Sequence, residues 1–245
     1  MKNYVITGYG ASDSLGFNIA KSIKSMDCDA RIIAIVHPRE TSDNRYADIV
    51  IPFDLSMVSE IKSLYDMILD NTLSSVYCLI NCAGSNYMSW LNNLEYEKYQ
   101  SIMDVNLNAP IFLTKHLIPQ LADGGIVLNI TSSGARKPFR TSLPYNVSKA
   151  GLVMATKQIA RELSGITVFA ISPNQISDTG LTKQNDIDIP LVRFWTEEET
   201  VAYRNKISVS GERPSAATTA EFIAFLVTSR DRCKHLSGSE IHYGE

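Results

Sequence analysis

The chain lacks the features that would mark it as secreted, membrane-spanning or nucleic-acid-binding. Its four cysteines, Cys28, Cys78, Cys82 and Cys233, are scattered and none stand in a C-x-x-C spacing. A disulfide frame or a zinc site is therefore not expected, and reduced thiols are. There is no long basic run and the formal charge is only −3, which argues against a nucleic-acid partner. No apolar stretch approaches the ~20 residues needed to cross a bilayer. The opening Met1-Lys-Asn-Tyr-Val-Ile-Thr-Gly8 reads as a strand entering a turn, without the apolar h-region of a signal peptide. Repeats, low-complexity tracts and interdomain linkers are also missing. The expectation is a cytoplasmic protein that acts on a small molecule, binds no metal, and folds as one domain over residues 1–245.

What is present is an alternation. Short, β-rich apolar runs at Tyr4–Thr7, Arg31–Val36, Asp48–Pro52, Val76–Asn81, Gly125–Ile130, Thr167–Ile171 and Glu240–His242 are separated by helical patterns. Leu15, Ile19 and Ile23 recur at helical spacing, as do Ile61, Leu64, Tyr65 and Ile68. Longer helical stretches run from Tyr96 to Leu121 and from Tyr145 to Leu163. Strands without polar alternation, each followed by a helix, predict an α/β fold: a doubly wound parallel sheet of about seven strands, Rossmann-type, with helices on both faces. Residues 178–214 break the pattern. They are polar and read as a lid inserted after the sixth strand. Leu191, Phe194 and Trp195 would either wall a pocket or pack beneath a long loop. Lys183, Asp186, Asp188 and Arg193 suggest no anion clamp. Thr196-x-x-Glu199 and Thr218-x-x-Glu221 each read as a capping box that starts a helix.

Thr7-Gly-Tyr-Gly-Ala-Ser-Asp-Ser-Leu-Gly16 closes the first strand and opens the first helix. In a doubly wound sheet that turn takes a dinucleotide pyrophosphate, because glycines admit the backbone and helix N–H groups face the anion. Gly8, Gly10, Leu15 and Gly16 would form the turn, and the Ser12 and Ser14 hydroxyls could donate to phosphate oxygens. Asp13 is expected to point to solvent. The second strand ends Val36-His-Pro-Arg39, with no acidic residue to take the ribose hydroxyls. His37 and Arg39 could meet a 2′-phosphate, which leans toward NADP(H) over NAD(H), against the alternative of a plain surface turn.

Tyr145 and Lys149 are one helical turn apart, and Ser132 precedes the tyrosine by thirteen residues. A phenol, an ammonium and a hydroxyl are the groups needed to move a proton on and off a carbonyl oxygen. A lysine charge nearby favours phenolate and lowers a phenol pKa from about 10. Alone, the Tyr–Lys spacing also fits an exposed helix face.

Taken in order, these motifs resemble the short-chain dehydrogenase/reductase family across essentially the whole chain. Asp54-Leu55 resembles the pair that contacts adenine. Asn81-Cys-Ala83-Gly84 is similar to the N-N-A-G that borders the cofactor. Asn106 matches the helix asparagine of the catalytic tetrad, completed by Ser132, Tyr145 and Lys149. Pro173-Asn174-Gln-Ile176 resembles the P-G-x-I that covers the nicotinamide. The resemblance implies an NAD(P)(H)-dependent oxidoreductase that interconverts a carbonyl and a secondary alcohol. Tyr145 would be the general acid or base, and Ser132 would polarise the carbonyl. Lys149 would lower the tyrosine pKa and hold the nicotinamide ribose. Asn106 would position a water that links Lys149 to solvent. A homotetramer or homodimer is implied as well.

Three departures stand out. The glycine loop is two residues longer than usual, with Ser14 in place of the middle glycine, which is similar to enoyl thioester reductases. Those enzymes, however, separate tyrosine and lysine by six residues, and Ser142 stands where that tyrosine would be. Asn174 replaces a glycine, and the chain closes on Tyr243-Gly-Glu245. Enoyl reduction and a non-catalytic cofactor sensor remain the alternatives.

Overall fold

A computed structural model describes residues 1–72, 74–193, 196, 198–199, 201 and 213–244. Seven parallel strands form one sheet in the order β3-β2-β1-β4-β5-β6-β7. They are β1 (Lys2–Thr7), β2 (Ala30–Val36), β3 (Ile49–Pro52), β4 (Val76–Asn81), β5 (Leu121–Ile130), β6 (Thr167–Pro173) and β7 (Glu240–Tyr243). Seven helices accompany them among the described residues: α1 (Leu15–Met26), α2 (Ile61–Asp70), α3 (Tyr96–Met103), α4 (Ala109–Leu117), α5 (Leu143–Glu162), α6 (Gly180–Arg193) and α7 (Ala216–Val227), with a single turn at Arg230–Cys233.

Successive strand residues feed opposite faces, and both faces are apolar. Tyr4, Ile6, Ile32, Ala34, Ile126 and Leu128 pack with α1 and α7 residues such as Ile19, Ile23 and Ile223. Val5, Ile33, Ile35, Leu79, Val127 and Val168 pack with Leu64 and Ile68 of α2 and Leu113 and Leu117 of α4. Burial on both sides explains why the strands show no polar alternation. The strand order reverses beside β1, so a crevice opens between the C-terminal ends of β1 and β4, where a doubly wound sheet binds its ligand.

Three expectations change in detail. The long helix foreseen from Tyr96 to Leu121 is interrupted: a π-helical turn at Asp104–Asn108 separates α3 from α4, and β5 begins at Leu121. Pro110 contributes to the break, since it offers no N–H to the carbonyl four residues back. The lid is not irregular over its first part, because α6 runs fourteen residues from Gly180; the Thr179 hydroxyl accepts from the Thr182 N–H at its start. Ser215, not Thr218, caps α7, accepting from the Thr218 N–H at 3.0 Å. The box at Thr196 and Glu199 forms in both directions, at 2.8 and 3.2 Å. Phe194 and Trp195 lie outside the described residues.

Candidate active site

The turn after β1 is built by close backbone approach. Gly8 has φ +70°, and a Cβ there would lie 2.6 Å from the Ala83 Cα. A Cβ on Gly16 would lie 2.5 Å from the Gly8 carbonyl oxygen, so the first turn of α1 seats directly on the loop. The Thr7 hydroxyl accepts from the Cys82 and Ala83 N–H groups, each at 3.1 Å, and fastens the end of β1 to the end of β4. Ser14 is the N-cap of α1. Its Oγ accepts from the Phe17 N–H and also from the Gly10 N–H, both at 3.1 Å. The two extra residues of the loop are thus folded back onto the cap.

A cavity of about 1090 Å³ runs from this turn along the strand ends. One end is bounded by His37, Arg39, Glu40, Asp54 and Leu55, and the other by Ser132, Tyr145 and Lys149. His37 Nε2 stands 3.6 Å from Asp54 Oδ2, and Ser56 gives Asp54 two hydrogen bonds. Burial would raise the Asp54 carboxyl, but those bonds and the His37 and Arg39 charges win and hold it below the usual range. Glu40, one residue past the stretch searched for an acid, is brought into the cleft: its carboxylate would lie 3.5 Å from a Cβ on Gly10.

At the other end, burial raises the Tyr145 phenol pKa and a hydrogen bond with Ser132 opposes the rise. Ser132 Oγ also accepts from the Gly134 N–H at 3.1 Å, which orients it. The next residue, Ser133, is buried and its hydroxyl donates to Asn174 Oδ1 at 3.4 Å. Lys149 is only 3% exposed and donates to the Ile130 carbonyl at 2.9 Å. Desolvation lowers its pKa to about 8. Its ammonium lies 5.8 Å from the Tyr145 ring centre. Cys82, buried nearby, has its thiol pushed up to about 12 by burial, with the Lys149 charge opposing.

Asn106 is fully buried in the π-helical turn. Its Oδ1 accepts from the Ser85 N–H at 2.9 Å, and its Nδ2 donates to the Ser85 carbonyl and to Ser148 Oγ at 2.9 and 3.0 Å. Ser148 in turn donates to the Tyr145 carbonyl at 2.8 Å. The side chain thereby clamps the loop after β4 to α5. It stands close behind Gly84, where a Cβ would be 3.6 Å from Asn106 Oδ1 and 3.5 Å from Lys149 Nζ.

Of the other residues expected in the site, Gly8, Gly10, Ser14, Leu15, Ala83, Gly84, Pro173, Asn174 and Ile176 line the cavity. Ser12, Gly16 and Asn81 do not. Ser12 is exposed, Gly16 packs beneath Gly8, and Asn81 is buried, donating to Asn129 Oδ1 at 2.8 Å between β4 and β5. Asn174 does not take a left-handed backbone: Thr141 is the one non-glycine residue with positive φ among those described. The Asn174 amide binds the Gly244 carbonyl instead, at 3.0 Å. Asp13 does not face solvent alone but pairs with Lys183 of α6 at 2.7 Å. Sequence reasoning passed over Glu40 and Asn86, and within the expected lid it did not single out Leu181, Asn185 and Ile189, which line the cleft together with Arg193. Only the strand–loop alternation around them could have signalled these residues.

The glycine-floored, continuous cleft, with a helix N-terminus at its centre and a buried ammonium at one end, fits an elongated dinucleotide. The sequence matches the short chain dehydrogenase family over residues 2–189. A ketoacyl reductase, HetN, from Nostoc sp. is 30% identical over 63% of this chain and 55% of its own length. The chain therefore spans about half of that relative. A 4-hydroxyisoleucine dehydrogenase solved with NADH superposes with a TM-score of 0.80 at 22% identity, covering 99% of this chain and 97% of the other. L-Sorbose reductase from Gluconobacter frateurii, solved with NADPH and L-sorbose, gives 0.79 at 20% identity, covering 99% and 95%.

Proposed function

The chain belongs to the short-chain dehydrogenase family, and on that premise we propose that it is an NAD(P)(H)-dependent oxidoreductase that interconverts a carbonyl and a secondary alcohol. The observation that carries this reading is that Ser132, Tyr145 and the buried Lys149 come together on one end of the cleft wall, with Tyr145 and Lys149 one helical turn apart on α5. A bound nicotinamide dinucleotide would supply or accept the hydride. Tyr145, whose proton is held by burial, gives it to the carbonyl oxygen in reduction and recovers it in oxidation. Ser132 hydrogen-bonds the same oxygen. Lys149 holds a positive charge behind the phenol, and Asn106 keeps the Ser85 loop and α5 in register. Gly8, Gly10, Ser14, Leu15, Ala83 and Gly84 floor the cofactor cleft, while Pro173, Asn174 and Ile176 cover its nicotinamide end. Tyr145→Phe removes the transferable proton, so turnover should fall to background while the fluorescence-measured cofactor affinity stays within a few-fold. Normal turnover in that variant defeats the assignment.

NADP(H) is placed slightly ahead of NAD(H), on Arg39 beside the His37–Asp54 pair. Glu40, with its carboxylate over Gly10, works against a 2′-phosphate and keeps the preference small. Glu40→Gln should raise the NADPH-to-NADH ratio of kcat/KM several-fold and Arg39→Gln should lower it; equal ratios in all three proteins would remove both residues from the choice. The three-residue Tyr–Lys interval favours carbonyl over enoyl reduction, and turnover of a crotonyl thioester would reverse that. A cytoplasmic homotetramer or homodimer completes the proposal; no helix among the described residues is long and apolar enough to cross a membrane.

A further inference from the structure

At the rim of the cleft, an ion pair joins two segments that the proton chemistry does not use. Asp13 sits in the glycine turn and lines the cavity, and Lys183 sits in the first turn of α6 beside Leu181 and Thr182, which also line it. Their Nζ and Oδ2 atoms are 2.7 Å apart, with side chains 58% and 39% exposed. A pair this open is worth little to stability and rearranges readily.

Part of the donor set of the turn is already engaged. The Gly10 and Phe17 N–H groups are both spent on Ser14 Oγ, and the Ser14 N–H is spent on the Ala11 carbonyl at 2.8 Å. Asp13 adds a negative charge where a phosphate is to be received. Three donors of the turn and the helix start are thus engaged, the turn carries one charge of the wrong sign, and a cation paired with that charge stands on the lid.

We propose that Lys183 is a phosphate-binding residue delivered by the lid, and that Asp13 is its internal competitor. The ammonium is exchanged from the Asp13 carboxylate to the pyrophosphate when a dinucleotide binds. This rests on the cleft being the NAD(P)(H) site, and it brings into the site a lysine that the charge pattern of the sequence did not mark. α6 would then be drawn onto the cofactor by charge as well as by packing.

The two ends of the pair have opposite roles, and that separates the proposal from a simple latch. Removing Asp13 frees the lysine and removes a repulsion, so binding tightens. Removing Lys183 leaves the repulsion, so binding weakens. A latch that merely holds α6 down would be lost equally from either end. The test is calorimetric titration of the full chain, Asp13→Asn, Lys183→Gln and Lys183→Arg with ADP-ribose, which carries the pyrophosphate but no nicotinamide, and with NADPH. Lys183→Gln should weaken both ligands by about three- to tenfold in low salt, Asp13→Asn should tighten them by about two- to fivefold, and Lys183→Arg should stay close to the parent. Both differences should shrink as salt rises to about 0.5 M. Shifts of the same sign from both ends, or affinities that do not move, overturn the proposal while the cofactor reading stands. If the parent chain binds neither ligand, the cofactor reading fails and the proposal falls with it.

Discussion

Thr141 stands four residues before Tyr145 with φ 65°, a left-handed backbone that a β-branched side chain adopts only under constraint. The constraint comes from outside the turn. The Ser89 N–H donates to the Thr141 carbonyl at 2.8 Å, Arg193 Nε donates to the Thr141 hydroxyl at 3.2 Å, and another guanidinium nitrogen donates to the Arg140 carbonyl. The end of the lid helix thus pins the turn that launches Tyr145. Thr141→Asn, which tolerates this backbone, should stabilise the fold by about 1 kcal/mol, seen as a rise of about 2–4 °C in melting temperature. An unchanged or lower melting temperature would mean that the lost hydroxyl contact outweighs the strain. Lys149 makes a second residue-scale prediction. Unfolded lysine titrates near 10.4 and folded Lys149 near 8, so between those values the unfolded chain binds the extra proton and stability rises with pH. Burial pushes up the Cys78, Cys82 and Cys233 thiols, and these oppose the rise as the unfolded thiols ionise around ~8.5, so the Lys149 contribution is read as the difference between parent and variant. The melting temperature of Lys149→Met should fall relative to that of the parent as pH rises from 8 toward ~10; a constant difference would remove the contribution. Both residues show the limit of the sequence: Tyr145, Lys149 and Ser132 were legible as types at a spacing, but the burial that moves the Tyr145 and Lys149 pKa values, and the strain at Thr141, depend on segments distant in the chain.

At the scale of elements, the strands were legible to within a few residues because both sheet faces are apolar, and α1, α2 and α5 because their buried positions recur at helical spacing. Two elements were not. The π-helical turn at Asp104–Asn108 adds one residue to a helix without changing its composition, so nothing local announces it, yet it carries Asn106 inward. α6 carries Pro190 and few apolar residues, and it folds because Thr179 caps it and because Ile189 and Thr182 are buried against the cleft. The glycine turn was legible as a motif, but the parts played by its members were not: Gly8 and Gly16 are packing positions, Gly10 lines open space, and Ser14 is a cap. Gly16→Ala places a methyl 2.5 Å from the Gly8 carbonyl and forces α1 off the loop. It should destabilise the chain by about 1–3 kcal/mol and weaken ADP-ribose binding by more than about tenfold, the cost expected when a phosphate cradle shifts. Gly10→Ala meets only the Glu40 and Ser14 side chains, at 3.5 Å or more, and should leave the melting temperature near that of the parent. Equal melting losses in the two variants would contradict the packing assigned to Gly16.

At the scale of the whole molecule, the outer face of α5 carries exposed apolar side chains. Leu143, Val147 and Met154 are 40%, 44% and 64% exposed and follow one another at i, i+4 and i+11, which keeps them on one side of the helix. Phe112, on α4 of the same sheet layer, is 40% exposed as well. The opposite side of α5 carries Lys149 and Ser148, so a surface that covers this stripe also backs the helix that positions the proton-transfer groups. Scattered apolar side chains need no explanation, but an aligned stripe is what a two-fold contact between copies would bury, the same patch serving on both subunits. The expected mass by light scattering is twice or four times the 27.2 kDa of the chain. Val147→Asp with Met154→Asp places charges at the centre of the stripe and should halve that mass. Neither residue lines the cleft, so a fall in turnover that tracks dissociation, and reverses as protein concentration is raised, would show that the second copy stiffens α5. A parent chain that already runs at 27.2 kDa would leave the stripe exposed and assign the rigidity of α5 wholly to the Asn106–Ser148 clamp.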